Sequence, residues 1–223
     1  LVRNNTAALW LPLWSLAVLL RTSRSLALAL QAAAILGSVL VVVAYLGLGE
    51  PAAWWTPRLE AILGEVFAER GLDIGDYLPD MARWMTAALA AALLFGALVS
   101  LLWARAWQAA LYNPGGFGAE FRELRLGRRF ALIGLAVAVV AQLPLAGIAQ
   151  VAADVLFSLL VVYLLQGLAI AHATVRLTQA GRGWLVGLYA LLLFAAPQTV
   201  AVLGLVGWLD AWVDVRARLR GPA

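Results

Sequence analysis

The sequence predicts an all-α protein, a bundle of about six or seven helices that cross a membrane. Of its 223 residues, 64% are hydrophobic and only 13% are charged, and that charged share is about half of what soluble domains carry. The mean hydropathy is +0.91. The apolar residues also form long runs, and a helix needs about 20 such residues to cross the hydrocarbon core of a bilayer. These observations exclude an ordinary soluble domain, a disordered chain and a disulfide-stapled secreted module.

The composition also limits the chemistry of the protein. The absence of cysteine excludes thiol catalysis, disulfides and thiolate metal sites, and all 16 basic residues are arginine, which excludes lysine Schiff bases. One histidine, His172, cannot form a multi-histidine metal site. We therefore predict no catalytic residues, no metal, no cofactor, no nucleic-acid partner and no enzymatic activity. An intramembrane enzyme would have to rely on His172, Asp154 or Asp210.

The apolar runs predict a single transmembrane domain over residues 1–223, with spans at 7–20, 26–48, 84–103, 130–148, 151–172, 184–196 and 199–213. A tight turn at Ala149-Gln150 is expected between the fourth and fifth spans. Pro197 interrupts the last apolar block, which is either one kinked helix or two short helices turning at residues 196–198. Because the chain opens at Leu1 rather than methionine, we expect further spans upstream. A signal peptide is the alternative, but no small-residue cleavage site follows.

The distribution of charge predicts how the bundle is oriented. Residues 105–129 hold five arginines and two glutamates, whereas acidic residues predominate over 49–83. Short arginine-rich loops stay on the cytoplasmic side of a membrane. We therefore place 21–25, 105–129 and 173–183 in the cytoplasm and 49–83 outside, in the inner membrane of a bacterium. The arginine-bearing tail after Val213 follows this rule only if the last apolar block crosses twice.

The outer loop is predicted to contain an amphipathic helix over residues 57–70. Thr56 is a suitable N-cap, and Pro57 suits the first helical position. Apolar residues then recur at helical spacing from Leu59 to Phe67, and Gly71 is a natural stop. This helix is either a lid over a ligand site or a structured connector.

The inner loop is predicted to form a glycine-rich turn, followed by a surface helix over residues 117–129. Phe117 and Phe121 lie on its apolar face, while Arg122 and Arg125 face anionic headgroups. A phosphate cradle is the alternative interpretation of the glycines, but the lysine and preceding strand of a P-loop are absent. Phe117, Phe121, Arg122 and Arg125 are also the candidate docking residues for another membrane subunit.

Polar side chains within the predicted spans are the candidate ligand-binding residues, because such groups are costly in lipid and often functional. They are Gln142, Asp154, Ser158, Gln166 and Gln198. In the predicted topology Gln142, Asp154 and Gln198 lie toward the outer half, where they are expected to meet around one small polar or vitamin-like solute. Hydrogen bonding between helices is the alternative role. Asp210 and Asp214 are expected to form the ion-paired, snorkelling end of the last helix.

Several motifs of the chain resemble one family of membrane proteins. They are Asn113-Pro114-Gly115-Gly116-Phe117, Glu120-Phe121, Leu124-Arg125-Leu126, Gln166-Gly167-Leu168-Ala169 with His172, Gly204-Leu205, and Asp210-Ala211-Trp212 leading to Arg216. From about Leu13 to Arg216 the chain resembles the proteobacterial branch of the YybS-like predicted membrane proteins.

That family is grouped by similarity with the S components of energy-coupling-factor vitamin transporters, which are small helical bundles. Their ligand site opens outward, and their inner side meets a transmembrane coupling subunit. The resemblance therefore implies a solute-binding or transport subunit. A membrane interaction or assembly factor without a small-molecule ligand is the alternative.

Overall fold

The computed structural model describes residues 5–71 and 73–220, and these ranges contain helices and no strand. The predicted all-α class is therefore confirmed. The helices are α1 (Asn5–Ser23), α2 (Leu26–Leu48), α3 (Pro51–Ala68), α4 (Leu78–Tyr112), α5 (Gly116–Arg122), α6 (Gly127–Val140), α7 (Ile148–Leu177), α8 (Gly183–Phe194), α9 (Ala196–Val213) and α10 (Val215–Arg220).

Four helices in the described ranges are long and apolar enough to cross a membrane, namely α2, α4, α7 and α9. The helix α2 has the bounds predicted for the second span. At 1.5 Å per residue, the 35 residues of α4 and the 30 residues of α7 exceed the hydrocarbon core of about 30 Å. Both helices are therefore longer than the hydrocarbon core is thick. The larger count of six or seven spans is not confirmed by these criteria.

The central helix of the bundle is α7, against which α2, α4, α6 and α9 pack. Its side chains Val162 and Leu165 are buried together with Leu30 of α2 and Leu98 of α4. The backbones of α7 and α9 touch, because a Cβ added to Gly167 would overlap the Leu203 carbonyl, and one added to Gly207 would overlap the Tyr163 carbonyl. Small residues permit such close approach in membrane bundles.

The outer helix begins earlier than the sequence predicts. Pro51, rather than Pro57, lies in the first turn of α3, and Thr56 donates its hydroxyl to the Ala52 carbonyl within the helix instead of capping it. The apolar face of α3 packs through Leu59 on the N-terminal part of α4, at Leu78 and Ala82. Trp55 fixes this contact by donating its Nε1–H to Thr86 Oγ1 over 2.9 Å.

Three turns also differ from their predicted positions. The inner surface helix expected over 117–129 is divided, because α5 ends at Arg122 and α6 begins at Gly127. The turn expected at Ala149-Gln150 lies earlier, since α7 already begins at Ile148 after the left-handed Gly147. The last apolar block breaks at Ala195, as the position of Pro197 at the start of α9 requires. The 12 residues of α8 extend about 18 Å, which is too short for a separate crossing of the core.

Candidate functional site

The main candidate site is a set of buried polar side chains at the predicted cytoplasmic end of the bundle. We call it the inner polar network and define it as Gln166 of α7, Asp210 of α9, Arg216 of α10 and the backbone of residues 122–126. Its three side chains are almost completely shielded from solvent. Buried charges and amides must be paired, since an unpaired one is costly.

Arg216 is the centre of this network and is 0% exposed. Its Nη2 donates to Asp210 Oδ2 over 2.6 Å, and its Nη1 donates to the carbonyls of Arg122 and Leu124, each over 2.8 Å. One guanidinium therefore links the end of α9 to the irregular segment between α5 and α6.

Gln166 connects α7 to the same segment. Its Oε1 accepts the Leu126 N–H over 2.9 Å, and its Nε2 donates to Asp210 Oδ2 over 3.3 Å. From α2, Gln31 donates its Nε2–H to the Leu126 carbonyl over 2.7 Å. Both backbone groups of Leu126 are thus paired with side chains of two different helices.

These contacts pair backbone groups that the break between α5 and α6 leaves without partners in a helix. Buried backbone groups outside a helix need hydrogen-bond partners, and lipid offers none. Gln31, Gln166 and Arg216 supply them from α2, α7 and α10. Hydrogen bonds from these side chains therefore fix the position of the segment between α5 and α6. The network thereby sets the backbone conformation at the predicted cytoplasmic end.

The turn after α9 explains how Arg216 enters the bundle. Asp214 adopts a left-handed conformation with φ 46°, which aspartate tolerates better than most residues. Its Oδ1 accepts the Ala217 N–H at the start of α10, while its Oδ2 is ion-paired with Arg125. The hydrogen bond from Arg125 lowers the pKa of the Asp214 carboxyl, and the same bond raises the pKa of Arg125.

Of the predicted docking residues, Phe117, Phe121 and Arg122 are half-buried beside the inner polar network, and Arg125 is exposed. Phe117 and Phe121 stack on α5 with ring centroids 5.9 Å apart, and the Phe121 and His172 rings are nearly perpendicular with centroids 6.0 Å apart. His172 Nε2 lies 2.9 Å from the hydroxyl of Tyr189. An ion pair of 2.8 Å between Arg105 and Glu120 attaches α5 to α4. The inner loop is therefore a packed surface carrying both aromatic and cationic side chains.

A second polar cluster surrounds Asp154 near the N-terminal end of α7. Asp154 is 0% exposed and accepts hydrogen bonds from Tyr45 at 3.0 Å and from Gln150 Nε2 at 2.9 Å. Arg83 of α4 donates to Gln150 Oε1 over 2.9 Å. One turn along α7, the hydroxyl of Ser158 is buried and has no hydrogen-bond partner in the described ranges.

The five predicted ligand residues do not surround one cavity. Asp154 and Ser158 are buried near each other, whereas Gln166 is 12 positions farther along α7, about 18 Å away at 1.5 Å per residue, and belongs to the inner polar network. Gln142 and Gln198 are exposed. The expectation that Gln142 and Gln198 meet Asp154 is therefore wrong: Asp154 is paired with Tyr45 and Gln150 instead.

Sequence reasoning missed the burial of Asp210 and Arg216. The prediction of ion pairing is confirmed, since Asp210 pairs with Arg216 and Asp214 with Arg125. The prediction of a snorkelling end is wrong for Asp210, because Gln166 and Arg216 enclose it. The available signal was a carboxylate and an arginine six positions apart across a helix end, which allows the chain to turn back on itself.

The inner polar network brings together residues from motifs that are far apart in the chain. Leu124 and Leu126 come from the inner loop, Gln166 from α7, and Asp210 and Arg216 from the end of the chain.

The sequence matches no family model, and it matches neither a curated protein nor a solved structure.

Proposed function

We propose that this protein is a multi-pass subunit of a bacterial inner membrane, and that its cytoplasmic face docks another membrane subunit. The observation that carries this proposal is the complete burial of Arg216, which fastens the inner loop to α7 and α9. A surface that is already ordered before a partner arrives loses less conformational entropy on binding.

The chemistry of this face favours a protein partner with apolar and acidic groups. Tyr112 and Leu111 at the end of α4 are largely exposed, next to the α5 helix that carries Phe117 and Phe121. Aromatic residues and arginines are enriched in the parts of interfaces that contribute most to binding. The inner face combines both residue types.

Site-specific photo-crosslinking in native membranes tests this proposal. A photoreactive amino acid at Tyr112 is expected to capture a distinct protein, because the side chain projects from the proposed docking face. The same group at Leu46, which is 81% exposed near the outer end of α2, is the matched control and is expected to give no such adduct. Equal adducts at both positions, or none at Tyr112, would contradict the proposal.

Solute binding is the second candidate function, and the Asp154 cluster favours it. A carboxylate and an unpartnered hydroxyl, Asp154 and Ser158, are buried in the same helix, and buried polar groups in membrane helices often mark solute pathways. The YybS-like resemblance and its link to S components point the same way. Stabilisation of the purified protein by a vitamin-like compound, lost in Asp154→Asn, would support this candidate. A compound that stabilises both forms equally would contradict a role for Asp154.

The count of six or seven spans belongs to the same proposal. It requires α1, α6 and the α8–α9 pair to lie in the membrane alongside α2, α4 and α7. Because α8 is shorter than the core, it crosses only if neighbouring protein or locally thinned lipid covers its ends.

A further inference from the structure

A lateral groove between α2 and α6 has the features of a lipid site. Both helices pack on α7, and the space left between them is a cavity of about 690 Å³. Its walls are apolar, with Val39 and Val42 of α2 facing Ile133 and Val137 of α6, and Val155 and Leu159 of α7 behind them.

The inner end of the groove is polar and cationic. Gln31 closes it by donating to the Leu126 carbonyl, and Arg128 and Arg129 line it beside that bridge. Arg128 is oriented by a 3.1 Å hydrogen bond from its Nε to the Ala211 carbonyl. The residues that line this cavity in the described ranges include no aspartate or glutamate.

Neither arginine is neutralised by the described part of the protein. The ion pairs Arg105–Glu120, Arg125–Asp214 and Arg216–Asp210 in the described ranges involve neither of them. Arg128 and Arg129 therefore present two positive charges at the end of an apolar groove, and an anionic group complements them.

The length of the groove fits one leaflet of a bilayer. Gln31 and Val42, which line its two ends on α2, are 11 positions apart, or about 16 Å at 1.5 Å per residue. Half of the hydrocarbon core is about 15 Å. A lipid of the inner leaflet whose headgroup lies at Arg128 therefore has an acyl chain that ends level with Val42.

We propose that the α2–α6 groove binds one acyl chain of an anionic phospholipid, whose headgroup phosphate contacts Arg128 and Arg129. Basic pockets between helices on the cytoplasmic side bind anionic headgroups in other membrane proteins. The larger cavity of about 1400 Å³ between α7, α8 and α9 is lined without a charged residue, so it does not select for an anionic headgroup. The α2–α6 groove combines apolar walls with unneutralised charge.

Native mass spectrometry of the purified full chain in a neutral detergent tests the proposal. The protein is titrated separately with phosphatidylglycerol and with phosphatidylcholine of the same acyl chains. In each titration, the fraction of protein that carries one bound lipid is measured. We expect phosphatidylglycerol to bind at least about tenfold more tightly, because each arginine near the surface attracts an anionic lipid. Equal affinities for the two lipids would overturn the proposal.

Two variants locate the site. Arg128→Gln/Arg129→Gln is expected to weaken phosphatidylglycerol binding roughly tenfold to thirtyfold. The charge-matched control Arg176→Gln/Arg182→Gln, on exposed positions of the same membrane side, is expected to change it less than about twofold. An equal loss in both variants, or no loss in the first, would overturn the proposal.

A steric variant tests the groove independently of charge. Val39→Trp is expected to displace the acyl chain and to weaken phosphatidylglycerol binding, while Val186→Trp on α8 is not. Both valines are half exposed or more, so the larger side chain fits without disturbing the core. Unchanged binding in Val39→Trp would place the lipid elsewhere and overturn the assignment of the groove.

Discussion

Arg216 and Asp210 form a buried ion pair, with Nη2 and Oδ2 separated by 2.6 Å and both side chains shielded from solvent. The pair spans the turn between α9 and α10. Because Arg216 also bonds two carbonyls of the inner loop, a single side chain joins the end of the chain to the segment that precedes α6.

Removal of Arg216 tests how much this pair contributes. Arg216→Met leaves Asp210 buried without a cation, and breaking one side of a buried pair costs about 3–5 kcal/mol. We expect a large fall in the melting temperature of the detergent-solubilised protein. The exposed Arg218→Met is the control and is expected to melt near the wild-type temperature.

The double variant Asp210→Leu/Arg216→Met separates the ion pair from its surroundings. Replacing both partners by apolar groups removes the unpaired charge, so much of the lost stability is expected to return. A double variant that melts as low as Arg216→Met would show that the other hydrogen bonds of these two side chains, rather than their mutual pairing, stabilise the fold.

The close contact of α7 and α9 predicts that alanine substitutions at different glycines change the stability by very different amounts. Gly207→Ala places a methyl group against the Tyr163 carbonyl, and overpacking of this kind costs about 1–3 kcal/mol. Gly187→Ala, whose added methyl group would meet no atom within 4 Å beyond its chain neighbours and the backbone of its own helix, is expected to leave the melting temperature unchanged or slightly higher. Comparable melting temperatures for the two variants would contradict the observed helix contact.

The cluster around Asp154 predicts a loss of folding stability when Tyr45 is changed. Tyr45→Phe removes one hydrogen bond to the buried Asp154 side chain, and an intramolecular hydrogen bond contributes about 0.5–1.5 kcal/mol. Tyr112→Phe, which removes the hydroxyl of a residue that is 83% exposed, is the control and is expected to leave the stability unchanged. Chemical denaturation of the two variants in the same detergent gives the comparison.

The Asp214–Arg125 pair predicts a small pH dependence of stability. Because the hydrogen bond from Arg125 lowers the pKa of Asp214 in the folded protein, the pair stabilises the fold above the unfolded pKa of about 3.9. This contribution is lost as the pH falls through the lower folded value. Its size is below about 1 kcal/mol, since the pair is partly exposed.

Asp214→Asn tests that dependence while keeping a residue that tolerates the left-handed conformation. The wild type is expected to melt slightly above the variant at neutral pH, and the gap is expected to close in acid. A gap that stays constant from neutral pH into the acid range would exclude titration of Asp214 as its cause.

The sequence predicts some helices of this chain well and the partners of its polar residues poorly. The bounds of α2 follow from one long, mostly apolar run between Ser25, whose side chain caps the helix, and the left-handed Gly49. By contrast, α8 is apolar on every side, so no periodic pattern indicates which face meets a neighbour. In a lipid-facing sequence the outward side of a helix looks like its inward side.

The same limit explains the missed sites. Asp154 is hydrogen-bonded to Tyr45, and Arg216 to Leu124, across more than 90 positions of sequence. The relative register of the helices determines which residues form such pairs. Packing of small residues such as Gly167 and Gly207 sets that register between α7 and α9. Residue type therefore indicates Gln166 and Asp154 as candidate functional residues, but it does not predict their hydrogen-bond partners.

The orientation of the inner polar network relative to the membrane underlies every functional proposal for this protein. Because the chain has no cysteine, single cysteines at the exposed positions Ala119 and Glu60 report on each side without background. A membrane-impermeant maleimide is expected to label Glu60→Cys in cells with a permeabilised outer membrane, and Ala119→Cys only in inverted vesicles. Labelling of Ala119→Cys from outside intact inner membranes would contradict a cytoplasmic network.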